Sequence, residues 1–275
     1  MSAGTLLIVD GMAVLYRAFY AIRELSTSSG RPTNAVYGFI RMLRQMRNAW
    51  KPTHAIVMFD GGLPEKRMAL LASYKAQRPS MPDALRSQLP GAVEYLEKAG
   101  VPWRRDEGQE ADDLIASSDK DLFQLVGGTV RMVSVAGDPA AMGSAEVVAK
   151  TGMPPEKIVE WLALVGDSAD NIPGVPGIGP KTAAKLLTEY GSLENLWHRL
   201  DSVHGERIRA ALAEHRLIVE RNLEMVRLRT DLAAGAKWED LALRPSDDKA
   251  LIAFYDAMEF GSLARELREP GLFSS

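Results

Sequence analysis

Apolar runs and amphipathic stretches alternate along the first part of the chain. Continuous apolar runs at residues 6–9 and 55–59 lack a two-residue alternation, which predicts strands over 5–9 and 54–59 that are buried on both faces. Between them, residues 33–50 place apolar side chains at three- and four-residue spacing, the pattern of an amphipathic helix. A shorter helix is expected over residues 12–22, directly after the first strand.

The same alternation continues to about residue 150. A helix is expected to end at Lys98, before Gly100, and residues 101–103 are expected to form another strand. Strands that alternate with helices imply a parallel sheet covered on both faces. We therefore predict an α/β domain over residues 1–152.

The pattern is helical from about residue 153 onward. Pro154 and Pro155 predict the start of a helix, because proline is well placed in a first turn. Later helices at 192–200, 205–214 and 216–228 are expected to serve packing. We predict an all-helical domain over residues 153–250, followed by a C-terminal helix and tail over residues 251–275.

Composition narrows the possible environment. The 275 residues include no cysteine, which excludes disulfides, zinc–thiolate sites and thiol nucleophiles and fits a reducing cytosol. No apolar stretch approaches the roughly 20 residues of a membrane helix, and the first apolar run is too short for a signal peptide. We expect a soluble cytoplasmic protein with no membrane partner.

Nine carboxylates fall in five short clusters at the ends of predicted elements. Asp10 and Asp60 each follow a predicted strand, and ligands of open α/β sheets bind outside the carboxyl ends of the strands. Carboxylates in one crevice repel each other unless cations neutralise them, and oxygen-only ligands suit Mg²⁺ or Mn²⁺. The pattern predicts metal-assisted phosphoryl transfer. The clusters are Asp10; Asp60; Glu110, Asp112 and Asp113; Asp119 and Asp121; and Asp167 and Asp170.

Basic residues gather between positions 66 and 86, although the formal net charge of the chain is −3. The distribution of charge decides nucleic-acid binding more than its total does. A solvated loop or helix face is the ordinary interpretation, but beside a carboxylate site a phosphate-guiding role is favoured. The segment contains Lys66, Arg67, Lys75, Arg78 and Arg86 against the single acid Asp83.

A glycine-rich turn precedes the helix predicted from Pro180. Gly177 and Gly179 would let the backbone approach a phosphate, and the N–H groups at the helix start would donate to it. Lys181, Thr182 and Lys185 follow in the first turns, and the lysines add charge. This helix-hairpin-helix signature predicts a grip on DNA without sequence reading. A tight helical turn with chance lysines is the alternative.

Six ordered strings resemble the bacterial and phage 5′→3′ exonuclease and flap-endonuclease family. They are VDGMAVLYRAFYA, VMFDGG, YKAQR, EGQEADDLIA, SDKDLFQLV and GDSADNIPGVPGIGPKTAAKLL. The family includes the N-terminal nuclease domain of bacterial DNA polymerase I, and the likeness covers roughly residues 5 to 230. It implies a PIN-like α/β nuclease domain joined to a helix-hairpin-helix (H2TH-type) DNA-binding region.

The resemblance also implies roles for individual residues. Two divalent ions, Mg²⁺ or Mn²⁺, are expected, with K⁺ at the hairpin. Lys75 and Arg78 would lie near the scissile phosphate and act with Asp10 and Asp60 in catalysis. The first metal site would use Asp10, Asp60, Glu110, Asp112 and Asp113, and the second Asp119, Asp121, Asp167 and Asp170.

The resemblance further implies a substrate and partners. We expect hydrolysis of DNA at 5′ ends, flaps and single-strand/double-strand junctions by a monomer that works at the bacterial nucleoid, with a DNA polymerase as a possible partner. Tyr16 or Tyr20 would stack on the base next to the cut. Core packing is the alternative for these aromatics and is favoured for Phe19.

One departure from the family concerns the short link between Asp113 and Asp119. Only the five residues Leu114 to Ser118 lie there. A crossover between parallel strands needs at least about 10–12 residues, its helix included. We therefore expect a sheet one parallel strand poorer than in relatives, with Asp119 and Asp121 displaced. A DNA-binding protein with impaired cleavage is the alternative function, and a PIN-type ribonuclease is a third that the hairpin argues against.

Overall fold

A computed structural model describes residues 4–108, 120–133, 141–228 and 237–269. Its main sheet has three parallel strands in the order β1-β2-β3. The strands are β1 (Leu6–Asp10), β2 (His54–Phe59) and β3 (Trp103–Arg105). The first two confirm the predicted runs, whereas the third begins where its prediction ended. Pro102 explains the shift, since a proline has no N–H for the ladder, although its carbonyl accepts from the Val57 N–H.

Five helices belong to this first part of the chain. They are α1 (Gly11–Ala21), α2 (Asn34–Trp50), α3 (Glu65–Leu70), α4 (Asp83–Arg86) and α5 (Leu89–Lys98). The first two confirm the predicted helices to within one residue. The helix expected to end at Lys98 is divided in two, because Pro90 in the first turn of α5 cannot donate to the preceding turn.

The first hydrophobic core joins the sheet to both ends of the chain. Leu7, Val9, Val57 and Phe59 of the sheet pack with the apolar faces of α1, α2 and α5. The last two helices, α12 (Asp248–Ala257) and α13 (Gly261–Arg268), add Phe254 and neighbouring side chains to the same core. The single C-terminal helix that was predicted is therefore two helices, and both pack on the N-terminal part.

The middle of the chain forms short hairpins and helices. A 3₁₀ helix at Lys120–Leu125 precedes the hairpin β4–β5, and the hairpin β6–β7 lies between α7 and α8. The elements are β4 (Met132–Val133), β5 (Ala141–Met142), α6 (Ser144–Thr151), α7 (Ile158–Val165), β6 (Gly166–Asp167), β7 (Ile172–Pro173), α8 (Pro180–Tyr190), α9 (Leu193–His198), α10 (Glu206–Glu214) and α11 (Arg216–Val226). The helical character predicted after residue 153 is confirmed, but the region is not all-helical, because the β6–β7 hairpin lies within it.

A second hydrophobic core holds these helices together. Leu162 and Leu164 of α7 pack with side chains of α8 and α11. Leu122 and Phe123, from the 3₁₀ helix, belong to this second core and not to the first. The predicted boundary at residue 152 stays a prediction, because packing crosses it. Across the described ranges, no helix is both long and apolar enough to span a membrane.

Candidate metal centre and nucleic-acid interface

Asp10 and Asp60 lie at one edge of the main sheet. Asp10 ends β1 opposite Met58 of β2, and Asp60 comes directly after β2. The two strand ends are in close contact, since a Cβ atom at Gly11 would lie 2.5 Å from the Phe59 ring. Convergence of the two carboxylates on one metal ion stays a prediction, whereas their shared edge is observed. The shared edge follows from parallel pairing, which brings the carboxyl ends of both strands to the same edge.

Asp10 is also the N-cap of α1. Its Oδ1 accepts a hydrogen bond of 2.8 Å from the Ala13 N–H. That bond fixes the direction of the carboxylate and places it at the positive end of the helix dipole. The strand-to-helix junction thus orients Asp10 toward the carboxyl edge.

The chain after β3 returns to the same edge. Arg105 Nε donates to the Asp60 carbonyl oxygen at 3.0 Å, and the Gly108 N–H donates to the Gly61 oxygen at 3.2 Å. Gly108 is the last described residue before 109–119. Glu110, Asp112, Asp113 and Asp119 lie outside the described residues, so their predicted roles as metal ligands stay predictions.

Asp167 and Asp170 form a second acidic group, on the β6–β7 hairpin. Both are buried, with relative exposures of 1% and 5%. Asp167 Oδ1 accepts from the Ala169 N–H at 2.8 Å and pairs with Lys120 Nζ at 3.0 Å. Buried carboxylates need such partners because desolvation of an isolated charge is costly. Asp121 follows Lys120 in the 3₁₀ helix, and its predicted role as a metal ligand stays a prediction.

Lys75 and Arg78, the predicted phosphate-side residues, are paired with Asp170. Arg78 Nη2 lies 2.6 Å from Asp170 Oδ1, and Lys75 Nζ lies 3.5 Å from Oδ2. The Lys75 side chain is buried, whereas that of Arg78 is half exposed. The Lys75 backbone adopts φ +52°, and its N–H donates to the backbone carbonyl oxygen of Asp170 at 3.0 Å. The turn that carries both basic residues is therefore fastened to the acidic hairpin.

Tyr16 and Tyr20 form an aromatic pair on α1. Burial raises the pKa of the Tyr16 phenol above its usual range, with further effects from Tyr20, Arg78, Arg86 and Asp60. Charges from both sides of the site therefore lie within reach of this one phenol. Tyr16 and Tyr20 stack with ring centroids 6.4 Å apart, and Tyr20 is 67% exposed. Phe19 packs against the first core, as favoured from the sequence.

The basic segment behaves differently from residue to residue. Lys66 is exposed on α3 and Arg86 is exposed on α4, so both can meet a phosphate. Arg67 is buried, and its Nε donates to the Met225 oxygen of α11 at 3.0 Å. The prediction that Arg67 contacts DNA is wrong for this structure. Helical periodicity turns Arg67 inward while its neighbour Lys66 points out.

The Gly177–Gly179 turn before α8 has an open backbone, and its predicted role in phosphate binding stays a prediction. Gly177 has φ +81°, a conformation that side-chain-bearing residues rarely adopt, and Ile178 anchors the turn in the second core. No described atom lies within 4 Å of a Cβ built at Gly177 or Gly179, so the turn is open to an outside group. Thr182 is half-buried in the first turn of α8, and Lys181 and Lys185 are exposed.

Several partners of the site were not singled out from the sequence. Tyr74 is buried and its hydroxyl donates to Asp170 Oδ2 at 3.1 Å. Lys120 holds Asp167, as described above. Tyr74 is part of the string YKAQR, and Lys120 is part of SDKD. Their adjacency to the predicted site residues was therefore the signal in the sequence that could have identified them. Among the described residues no three His, Asp or Glu side chains converge as a metal site, and metal binding stays a prediction.

Family models match nearly the whole chain. The model described as the 5′–3′ exonuclease N-terminal resolvase-like domain matches residues 5–152, and that of the 5′–3′ exonuclease C-terminal SAM fold matches residues 153–249. A 5′–3′ exonuclease of Aquifex aeolicus is 39% identical over 279 positions, which cover 96% of this chain and 95% of that protein. The thermostable DNA polymerase I of Thermus thermophilus is 38% identical over 96% of this chain. The chain spans 33% of that polymerase.

Solved structures support the same fold. The T5 D15 protein co-crystallised with metal ions matches with a TM-score of 0.70 at 22% identity, over 92% of this chain and 98% of that one. The catalytic core of Rad2 in complex with DNA substrate matches with a TM-score of 0.65 at 15% identity, over 97% and 92% of the two chains. Both likenesses concern the fold, a parallel-sheet domain followed by a helical one. The sequence matches go further, and the chain belongs to the 5′–3′ exonuclease family of hydrolases acting on DNA phosphodiester bonds.

Proposed function

We propose that this chain is a divalent-metal-dependent, structure-specific 5′→3′ nuclease that cuts DNA at 5′ ends, flaps and single-strand/double-strand junctions. The observation that carries the proposal is the placement of Asp10 and Asp60 at adjacent parallel strand ends. The stacked Tyr16–Tyr20 pair lies on α1, the helix that begins directly after Asp10. The chain also has exposed basic residues and an open turn at Gly177–Gly179, and both suit phosphate binding.

The donor set suits Mg²⁺ or Mn²⁺, because every candidate ligand is a carboxylate oxygen. Asp10 and Asp60 would hold the first ion together with Glu110, Asp112 and Asp113. Asp121, Asp167 and Asp170 would hold or support the second together with Asp119. When bound, a two-ion centre supplies an activated water and a stabilised leaving oxygen.

The chain's own residues then position the phosphate. Lys75 and Arg78 neutralise charge that develops on its non-bridging oxygens. Tyr16 and Tyr20 present an aromatic surface for the base beside the cut. The turn at Gly177–Gly179 and the first turns of α8, up to Lys185, hold the duplex through its phosphates. The affinity of this contact is therefore independent of base sequence.

Four further properties complete the proposal. A K⁺ ion binds at the hairpin turn, where backbone groups are exposed. The protein acts as a monomer in the cytoplasm, at the nucleoid. A DNA polymerase is its partner, since relatives such as the Rhizobium leguminosarum DNA polymerase I match this chain over 28% of their own length.

A second candidate function is DNA binding with impaired cleavage. The alignment with the Aquifex protein runs over 279 positions, although only 96% of this 275-residue chain takes part, so that relative holds residues that this chain lacks. The five-residue link between Asp113 and Asp119 is the place where the sequence favours such a loss. A misplaced carboxylate lowers activity strongly, since misplacement by about 1 Å can cost a hundredfold in rate.

A cleavage assay on a labelled 5′ flap separates the two functions. With Mg²⁺ or Mn²⁺ the intact chain should release the flap, and EDTA should stop the reaction. Asp60→Asn should abolish cleavage while leaving duplex binding in EDTA unchanged. Binding without cleavage by the wild-type chain, under conditions where the Aquifex protein cuts, would establish the second function instead.

A further inference from the structure

Trp103 and Arg105 form an exposed pair beside the carboxylate edge that the proposed mechanism does not use. They are two residues apart on β3, so both side chains leave the strand on the same side. Trp103 is 37% exposed, an unusual position for so large an apolar side chain. Among the described strands, β3 is at the end of the three-stranded order, so this pair lies on an edge strand of the part of the sheet that the structure describes.

Both residues are tied to the strand end that carries Asp60. The Trp103 ring packs edge-on against Phe59, with centroids 6.3 Å apart, and Phe59 directly precedes Asp60. Arg105 Nε holds the Asp60 carbonyl oxygen at 3.0 Å. The contact with Phe59, at an interplanar angle of 71°, supports one part of the Trp103 ring, and the side chain is still 37% exposed. A stacking platform needs both properties.

Arg105 is the cation of this pair that a phosphate can meet. Arg104 and Asp106 neutralise each other through two contacts, Nε–Oδ1 at 2.8 Å and Nη2–Oδ2 at 2.7 Å. Glu107 is exposed beyond them. The Arg105 guanidinium makes no ion pair with a described carboxylate, and its remaining N–H groups can meet a phosphate. An exposed aromatic ring beside an arginine is the combination that binds single-stranded nucleic acid.

We propose that Trp103 and Arg105 form a binding site for single-stranded DNA, in which an unpaired base of the 5′ arm stacks on Trp103 and its phosphate meets Arg105. The site rests on the proposed nuclease function and extends it, because it lets the enzyme recognise the arm next to the Asp60 edge. It is a substrate-binding site and takes no part in the chemical step.

The test compares two DNAs in EDTA, so that binding is measured without cleavage. Both share one duplex, and one carries a short single-stranded 5′ thymidine arm. Trp103→Ala should weaken binding of the armed DNA by roughly tenfold, since stacking on an aromatic side chain contributes about 1–3 kcal/mol per base. The armless duplex should bind as before. Trp103→Phe should retain most of the affinity for the arm.

Trp238 offers a matched control. It is 45% exposed and stacks on His54, at the opposite, amino end of β2. Trp238→Ala should change neither affinity. Trp103→Leu keeps an apolar contact with Phe59 without an aromatic face, and it replaces the alanine variant should that one fail to fold.

Two results would overturn the site: unchanged affinity for the armed DNA, or equal weakening of both DNAs. Neither depends on catalysis. The wild-type chain could cut no flap while the Trp103→Ala variant still binds the armed DNA more weakly than wild type. In that case the nuclease proposal fails and the binding site stands.

Discussion

Asp170 has a structural role in addition to its proposed chemical role. It is proposed as a metal-supporting carboxylate, yet Tyr74, Lys75 and Arg78 already surround it. Its burial makes these contacts necessary, because an unpaired buried carboxylate would be strongly destabilising. The same contacts fasten the turn at residues 73–78 to the β6–β7 hairpin, assisted by the Asn171 side chain, which donates to the Ser73 oxygen at 2.7 Å.

Replacement of Asp170 should therefore affect stability as well as catalysis. Asp170→Asn leaves the buried Lys75 ammonium without its described carboxylate and should lower the free energy of unfolding by about 3 kcal/mol. Urea denaturation measures the change. The matched control is Asp256→Asn, which breaks the half-exposed pair with Arg268 and should cost at most about 1 kcal/mol. Equal effects of the two variants would contradict the structural role of Asp170.

Glu259 provides a pH-dependent contact at the same scale. Its carboxylate accepts from both the N–H and the hydroxyl of Ser28, and these bonds hold its pKa below the usual range. A lowered folded-state pKa stabilises the fold above the ordinary glutamate value of about 4.3, and the contribution is lost as pH falls through the lowered value.

The stability difference between wild type and Glu259→Gln should therefore be largest near neutral pH and should shrink in acid. Thermal unfolding midpoints measured across acidic to neutral pH provide the test. Ser28→Ala removes the hydroxyl donor only and should show a weaker version of the same dependence. A difference that grows as pH falls would contradict the assignment.

At the scale of elements, the Gly177–Gly179 turn and α8 form one structural unit, for which we propose phosphate binding. The turn is anchored from below by Ile178, and Trp161 Nε1 donates to the Pro180 oxygen at 3.0 Å, which fixes the start of the helix. Lys181 and Lys185 then project from successive turns of a helix whose orientation is set by the second core. These contacts thus fix the position of the first turn of α8 before a phosphate binds.

Double replacement of Lys181 and Lys185 by glutamine should weaken duplex binding uniformly across sequences. The slope of log affinity against log salt should fall by about 2, because each phosphate contact contributes about 0.9. Lys249→Gln, an exposed lysine on α12, is the control and should leave the slope unchanged. Cleavage at saturating substrate should change much less. An unchanged slope in the double variant would remove the hairpin from the DNA interface.

At the scale of the whole molecule, the chain closes on itself through α12 and α13. Most of α12 and all of α13 lie beyond the part matched by the family models, which ends at residue 249, yet their apolar side chains complete the first core. Backbone bonds reinforce the return, since the Arg244 N–H donates to the Gly100 oxygen and the Asp247 N–H to the Lys98 oxygen, both at 2.9 Å. The α/β domain is therefore incomplete without the last helices.

Removal of that contribution should destabilise the N-terminal half. Phe254→Ala should lower the free energy of unfolding by about 3–5 kcal/mol, as expected for a large buried side chain. Leu217→Ala, at a position 78% exposed, should change it by less than about 0.5 kcal/mol. A chain ending at residue 247 should lose the cooperative unfolding of the first core. Full stability of that shortened chain would show that α12 and α13 are dispensable.

The sequence by itself determined the strands β1 and β2, the long α2 and the helical second half. Their apolar periodicities are local, and local patterns suffice where burial is regular. Parallel pairing of two such strands also placed Asp10 and Asp60 at one edge without further information. The motif strings placed the family, and the family models agree with that placement.

Only the tertiary structure decided which polar side chains face solvent and which are buried. Arg67 and Lys66 are neighbours in one basic run, yet one caps α11 and the other is free to meet DNA. Lys75 and Asp170 are far apart in sequence, and their pairing depends on how the turn at residues 73–78 meets the β6–β7 hairpin. Contacts of this kind join segments that are distant in sequence, and the pattern of apolar and polar residues along the chain does not indicate them. The return of α12 and α13 to the first core has the same origin, because an amphipathic helix specifies an apolar face but not the surface that covers it.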